Sequence, residues 1–246
     1  MTRLFAEDIS VQFGGNLVLD SVSVGVDEGG VTGLIGPNGA GKTTLFNVIT
    51  GLLPPGRGRV ELDGRNITRF APYRRAQRGL ARTFQRLELF TSLSVRDNVR
   101  VAGEIFNASR RRRRLDCAAE ADRVLELVGL ADVAEREVAE IPTGQARVVE
   151  VARALMTKPT VLLLDEPASG QTEHETEVFG RLLRRLADED GLAVCLVEHD
   201  MSLVMQVCET IHVLDYGRII AVGTPDEVRA DQAVVDAYLG APEAVL

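Results

Sequence analysis

Apolar residues along this chain follow two rhythms. Short unbroken runs, VTGLI (31–35), TVLLLD (160–165) and LAVCLV (192–197), have the length and composition of strands buried on both faces. Residues 80–84 and 210–215 are of the same kind, so five strands of a parallel core are predicted. Near the start, runs at 4–13 and 21–26 join 30–35 in a predicted antiparallel β edge. Between Gln85 and Gly144 strand signals vanish and helical spacing takes over, at about 94–101 and 115–130, which predicts a helical subdomain inserted in the core. In IPTGQARVVEVAR (141–153) a proline and a glycine precede apolar positions 148, 149, 151, 152, 155 and 156. A helix is therefore predicted to begin at Gly144, with unpaired N–H groups at its start. GTPDEV reads as a turn then a helix, with Thr224 as N-cap and Pro225 at the first helical position. The alternation of strands and helices predicts an α/β fold, and 246 residues could make one large domain or two small ones.

Composition narrows this picture. Hydrophobic residues make up 45% of the chain, yet no apolar run approaches membrane-spanning length. The opening MTRLFAEDIS has no signal-peptide core, so a soluble chain kept in the cytoplasm is expected. Cys117, Cys195 and Cys208 lack metal-ligand spacing and read as reduced thiols, Cys195 packed in a strand. A net charge of −8 argues against a broad nucleic-acid surface, and no nucleic-acid partner is expected. The one basic block, Arg110 to Arg114, reads as a solvated helix face or loop, with a lipid headgroup or acidic partner as the alternative. Of 28 basic residues only Lys42 and Lys158 are lysine, so Lys42 needs a reason of its own.

Its neighbours supply one. Gly36, Pro37, Asn38, Gly39, Ala40, Gly41, Lys42, Thr43 and Thr44 spell G-x-x-x-x-G-K-T between a predicted strand and a predicted helix. Glycines let backbone N–H groups converge on a polyphosphate, and the helix start adds its dipole. Lys42 is placed to reach the terminal phosphates as a compact point charge, and the Thr43 hydroxyl to ligate Mg²⁺. TVLLLDEP supplies the matching half: Asp165, at the end of a buried strand, would hold Mg²⁺ through water. Glu166 would accept a proton from an attacking water. His199 leaves the C-terminal end of a third strand, where open α/β sheets place their ligands. Of the other two histidines, His212 sits in the apolar run TIHVL as a packed residue, and His174 lies among glutamates at an exposed helix start.

Together these motifs resemble the nucleotide-binding subunit of an ABC transporter, in the family's order and over nearly the whole chain. The resemblance implies a single nucleotide-binding domain over residues 1–246, a P-loop NTPase core with an antiparallel β edge and a helical subdomain inserted at about 86–158. It implies that Phe13 stacks on adenine and that residues 36–44 are the Walker A motif. Gln85, in RTFQ, becomes the Q-loop glutamine, serving catalysis and Mg²⁺ alongside Thr43 and Asp165. Asp165 and Glu166 become the Walker B pair and His199 the switch histidine. IPTGQ stands where the family carries LSGGQ, so Thr143, Gly144 and Gln145 are expected to cap ATP held by an opposite subunit. Two departures touch that seam: Pro142 replaces the signature serine, and Thr172 stands where the D-loop usually has aspartate. Thr143 could supply a substitute contact.

GLARTFQ, LFTSLSVRDNV and the ending GTPDEVRADQAVVDAYLG look like the branched-chain amino acid uptake branch, with urea or amide uptake as the alternative. The expected partners are membrane permease subunits, a second ATPase subunit (a heterodimer, or a homodimer) and, indirectly, an external solute-binding protein. The expected location is the inner face of the cell membrane. A soluble non-transport ABC ATPase is a rival, but one Walker A and no heptad run disfavour the double-cassette and coiled-coil kinds. A P-loop kinase or GTPase would leave Gln85, Gly144 and His199 unexplained together.

Overall fold

Alternation along the buried strands decides which layer each side chain meets. The computed structural model describes residues 1–108 and 115–239, so the Arg110 to Arg114 block lies outside it. β1 (Thr2–Phe13) and β2 (Asn16–Asp27) form a long hairpin, and β3 (Val31–Ile35) leads through a glycine loop into α1 (Lys42–Thr50). β4 (Arg57–Leu62), β5 (Arg65–Asn66), α2 (Pro72–Ala76) and β6 (Leu80–Arg82) follow. Among the described residues the chain up to the next strand is helical, with α3 (Val95–Ala108), α4 (Cys117–Leu127) and α5 (Thr143–Leu155). The core resumes with β7 (Val161–Asp165), α6 (Glu173–Asp190), β8 (Ala193–Val197) and α7 (Met201–Val207). It ends with β9 (Thr210–Asp215), β10 (Arg218–Gly223), α8 (Pro225–Ala230) and α9 (Gln232–Leu239).

One sheet has the order β10-β9-β3-β8-β7-β6, with the five predicted core strands parallel and β10 antiparallel at the edge. The other is antiparallel, in the order β2-β1-β4-β5. Here the structure corrects the expected β edge. β3 pairs with β8 and β9, and the third and fourth strands of the antiparallel sheet come from residues 57–66. RGRVEL has only Val60 and Leu62 buried, so its apolar pattern is too sparse to announce a strand.

On β7, Leu162 and Leu164 face a core shared with α5, α6 and α7, while Val161 and Leu163 face a second core shared with α1 and the antiparallel sheet. α1 thus lies wedged between the two sheets through Leu45, Phe46, Val48 and Ile49. Arg75, 1% exposed, closes its far end by donating to the carbonyls of Val48 and Ile49 at 2.8 and 2.6 Å, a cation at the negative helix terminus. Burial pushes that guanidinium down to about 10. Gly103 lets α3 pack closely: a Cβ there would lie 2.6 Å from Met156 Cε and 3.1 Å from Cys117 Sγ. Cys117, Cys195 and Cys208 are buried free thiols, all pushed up chiefly by burial.

Candidate active site

The parallel strands end along one rim of their sheet, and the motifs leave from that rim. After β3, Gly36 turns with φ +145°, and a Cβ there would lie 1.9 Å from the Leu214 carbonyl oxygen. Gly39 and Gly41 also have positive φ, 81° and 114°, and at Gly41 a Cβ would meet Leu19 Cδ2 at 2.7 Å. Only glycine fits this turn. Asn38 and Gly39 are exposed, Ala40 is buried, and Thr43 and Thr44 lie in the first turn of α1, Thr43 exposed. Lys42, 6% exposed, curls back so that Nζ donates to the carbonyls of Gly36 at 2.5 Å and Pro37 at 3.0 Å. Burial lowers its pKa, while the nearby carboxylates of Glu166 and Asp165 pull it back up.

β7 delivers Asp165, 2% exposed, and then Glu166, whose φ of 50° is left-handed. A non-glycine residue held there costs about 1–3 kcal/mol, and such outliers gather at functional sites. The Glu166 carboxylate lies between two groups from other loops. His199 Nε2 is 2.9 Å from Oε1, and the Gln85 amide Nε2 donates to Oε2 at 2.9 Å. The structure therefore brings Glu166, His199 and Gln85 into direct contact, although 81 residues separate Gln85 from Glu166. Phe13 stands at the end of β1 beside the Gly14–Gly15 turn, its residue 52% exposed.

α5 begins at Thr143, one residue before the predicted start, with exposed Pro142 at its N-cap and no side-chain cap. Gly144 packs closely there: a Cβ would lie 3.1 Å from both Gln171 Cγ and Glu175 Oε2, so those side chains would have to shift by a few tenths of an ångström. Thr143 Cγ2 would be 3.2 Å from a Cβ on Gly170, so its methyl packs on the loop after β7. Gln145 is partly buried, its Oε1 without a hydrogen-bond partner. Thr172 caps α6 in a reciprocal pair with Glu175, donating Oγ1–H to Oε2 at 2.9 Å.

Four further residues escape a reading of motifs. Arg82 bonds Asp165, and Arg147 of α5 bonds the carbonyls of Phe84 and Gln85. Glu150 accepts the Glu88 N–H at 2.9 Å. Buried Glu198 accepts from the N–H groups of Ala168 and His199 at 2.7 and 2.9 Å, tying the loop after β7 to the loop after β8. Burial pushes both glutamates up, against these hydrogen bonds. The signal for Arg147 and Glu150 is their three-residue spacing within the largely apolar run ARVVEVA of α5.

A nucleotide-binding fold with a phosphate loop, paired acidic residues at a strand end and a histidine on the acid defines an ATPase cassette. Residues 19–169 match the family model of the ABC transporter, and residues 218–244 that of the branched-chain amino acid ATP-binding cassette transporter. The chain is 38% identical over 243 residues to the high-affinity branched-chain amino acid transport ATP-binding protein BraF of Pseudomonas aeruginosa, covering 94% of this chain and 95% of that one. It is 36% identical over 248 residues to the corresponding LivG of Salmonella typhimurium, covering 96% and 97%. The crystal structure of the ADP conformation of MJ1267, an ATP-binding cassette of an ABC transporter, superposes with a TM-score of 0.88 at 32% identity, covering 98% and 99%. The chain belongs to the ABC transporter ATP-binding family and is an ABC ATPase.

Proposed function

We propose that this cassette powers import of branched-chain amino acids across the cytoplasmic membrane, using ATP with Mg²⁺. The observation that carries the catalytic part is the Glu166–His199–Gln85 cluster beside the glycine loop. Glu166 takes the proton of the water that attacks the terminal phosphate, and His199 orients the carboxylate and that phosphate. Lys42 exchanges its carbonyl contacts for phosphate oxygens, the backbone N–H groups of residues 37–44 cradle the rest of the polyphosphate, and Phe13 offers its exposed ring to the base.

Among the described residues no three His, Cys, Asp or Glu side chains form a cage, which suits an ion that arrives on the nucleotide. Thr43, Asp165 and Gln85 form the oxygen donor set; because Gln85 Nε2 donates to Glu166, its Oε1 is left as an acceptor. Mg²⁺ bound there neutralises phosphate charge.

Support for the solute class comes from the match of residues 218–244 and from what BraF and LivG are named for. Permease subunits dock on the groove of about 360 Å³ between α2, β6 and α5, where Leu52, Phe84 and Arg153 line the wall and Tyr73 and Phe90 stand exposed nearby. No described helix is long and apolar enough to cross a membrane, which fits a cassette held at the inner face by that docking. α5 serves a second cassette: Thr143, Gly144 and Gln145 cover the partner's ATP. Vesicles carrying this chain, its permeases, a second cassette and the solute-binding protein should show ATPase activity stimulated by leucine, isoleucine or valine. Stimulation by urea or amides alone would overturn the solute class.

A further inference from the structure

Arg82 ends β6, three residues before Gln85, and its guanidinium sits where three elements meet. Nη2 donates to Asp165 Oδ2 at 2.8 Å, and Nη1 donates to Asn47 Oδ1 at 2.7 Å. The group also lies over the rings of Phe46 and Phe84, 5.4 and 4.9 Å from their centroids. The side chains of Arg82 and Asp165 are only 6% and 3% exposed. A surface ion pair reorients freely, whereas this guanidinium has two acceptors, two aromatic neighbours and almost no solvent. Its planar fork is what permits both bonds at once. Among the described residues, Asp165 Oδ1 has no hydrogen-bond partner, so one carboxylate oxygen is fixed and the other is left over.

Asn47 lies one helical turn after Thr43 on α1. The Arg82 fork therefore ties the Asp165 carboxylate to the helix that carries Thr43, another expected ligand of the cation. We propose that Arg82 is a positioning residue for Mg²⁺: by holding Oδ2 against Asn47 it fixes the direction in which Asp165 presents Oδ1. The proposal rests on the reading of Asp165 and Thr43 as magnesium ligands. Charge alone argues the other way, because a guanidinium beside Asp165 repels a cation. The two effects have opposite signs, so one titration separates them.

The experiment follows binding of a non-hydrolysable fluorescent ATP analogue to the full chain. Affinity is read in EDTA, and then the Mg²⁺ concentration that gives half of the metal-dependent signal. Arg82→Met should leave affinity in EDTA unchanged and raise the half-saturating Mg²⁺ about tenfold, the usual scale for losing a partner that orients a metal ligand. Arg82→Lys keeps the charge without the fork and should shift in the same direction. Asn47→Ala loosens the brace without removing a charge, and should give a smaller rise; it keeps the question open to test if Arg82→Met does not fold. A half-saturation that stays the same or falls in the folded variants, while Asp165→Asn raises it, overturns the positioning role. A lowered melting temperature with unchanged Mg²⁺ dependence means Arg82 is merely structural, and also overturns it. If Asp165→Asn and Thr43→Ala leave Mg²⁺ dependence unchanged, the magnesium reading itself has failed, and the proposal with it.

Discussion

The Arg147 guanidinium donates to the backbone carbonyl of Gln85 at 2.5 Å, joining α5 near its start to the loop that follows β6. A second bond reaches Phe84 O at 3.1 Å, and Nη1 also meets Glu150 Oε2 at 3.2 Å. Glu150 in turn holds the Glu88 N–H, and Arg153 donates to the Glu88 carbonyl. The start of α5 and residues 84–88 are thus held as one piece.

Removing Arg147 leaves the Glu150 carboxylate, 7% exposed, without its hydrogen-bonded cation, with only the more distant charge of Arg153. Arg147→Ala should therefore cost about 3–5 kcal/mol of stability, the scale for breaking a buried pair from one side. Removing both partners in Arg147→Ala with Glu150→Ala should cost less than the single change. Chemical denaturation of both variants checks this; a double variant at least as unstable as Arg147→Ala alone would contradict it.

Pro142 and Thr172, proposed to face a second cassette, predict how this one pairs. Exposed Pro142 offers no hydroxyl, and Thr172 spends its own on Glu175. Each lost charge-assisted contact is worth about 1.5–3 kcal/mol, and a homodimer would lose it at both sites. In sedimentation with ATP, Glu166→Gln protein should be mostly monomer alone and a stable dimer once a second cassette with the serine and aspartate is added. A tight ATP-driven homodimer at micromolar concentration would contradict this.

His212 predicts a pH effect. It lies in β9, 8% exposed, with Nδ1 buried and unpartnered, and burial lowers its pKa below the ordinary 6.5. The folded chain refuses a proton that the unfolded chain accepts, so this group's contribution is present above pH 6.5 and lost as pH falls through the lower folded value. His212→Leu should flatten the loss of unfolding free energy between neutral and mildly acidic pH. Parallel stability curves for the two proteins would show that His212 does not titrate in this way.

What could be read from the chain beforehand follows from how local each signal is. The glycine loop is local: its spacing, the strand before it and the helix after it all lie within residues 31–50, and Thr224 and Pro225 likewise mark their own helix. Helix ends were harder. α3 runs to Ala108, past the expected 101, because Gly103 serves close packing, and α4 stops at Leu127 just before Gly129 turns with φ +74°. The contacts of Arg82 with Asp165, and of Arg147 with Gln85, join residues 83 and 62 apart. No residue pattern within one element encodes such a pair; only the sheet order and the docking of α5 bring them together.

The most direct test of Glu166 as the group that drives ATP hydrolysis is Glu166→Gln, measured for both ATP affinity and turnover in the assembled transporter. The amide still fits between His199 and Gln85 but cannot accept the water's proton. ATP binding should persist while hydrolysis falls about 10²–10⁴-fold, the usual cost of losing a general base. Near-wild-type turnover in that variant would contradict it.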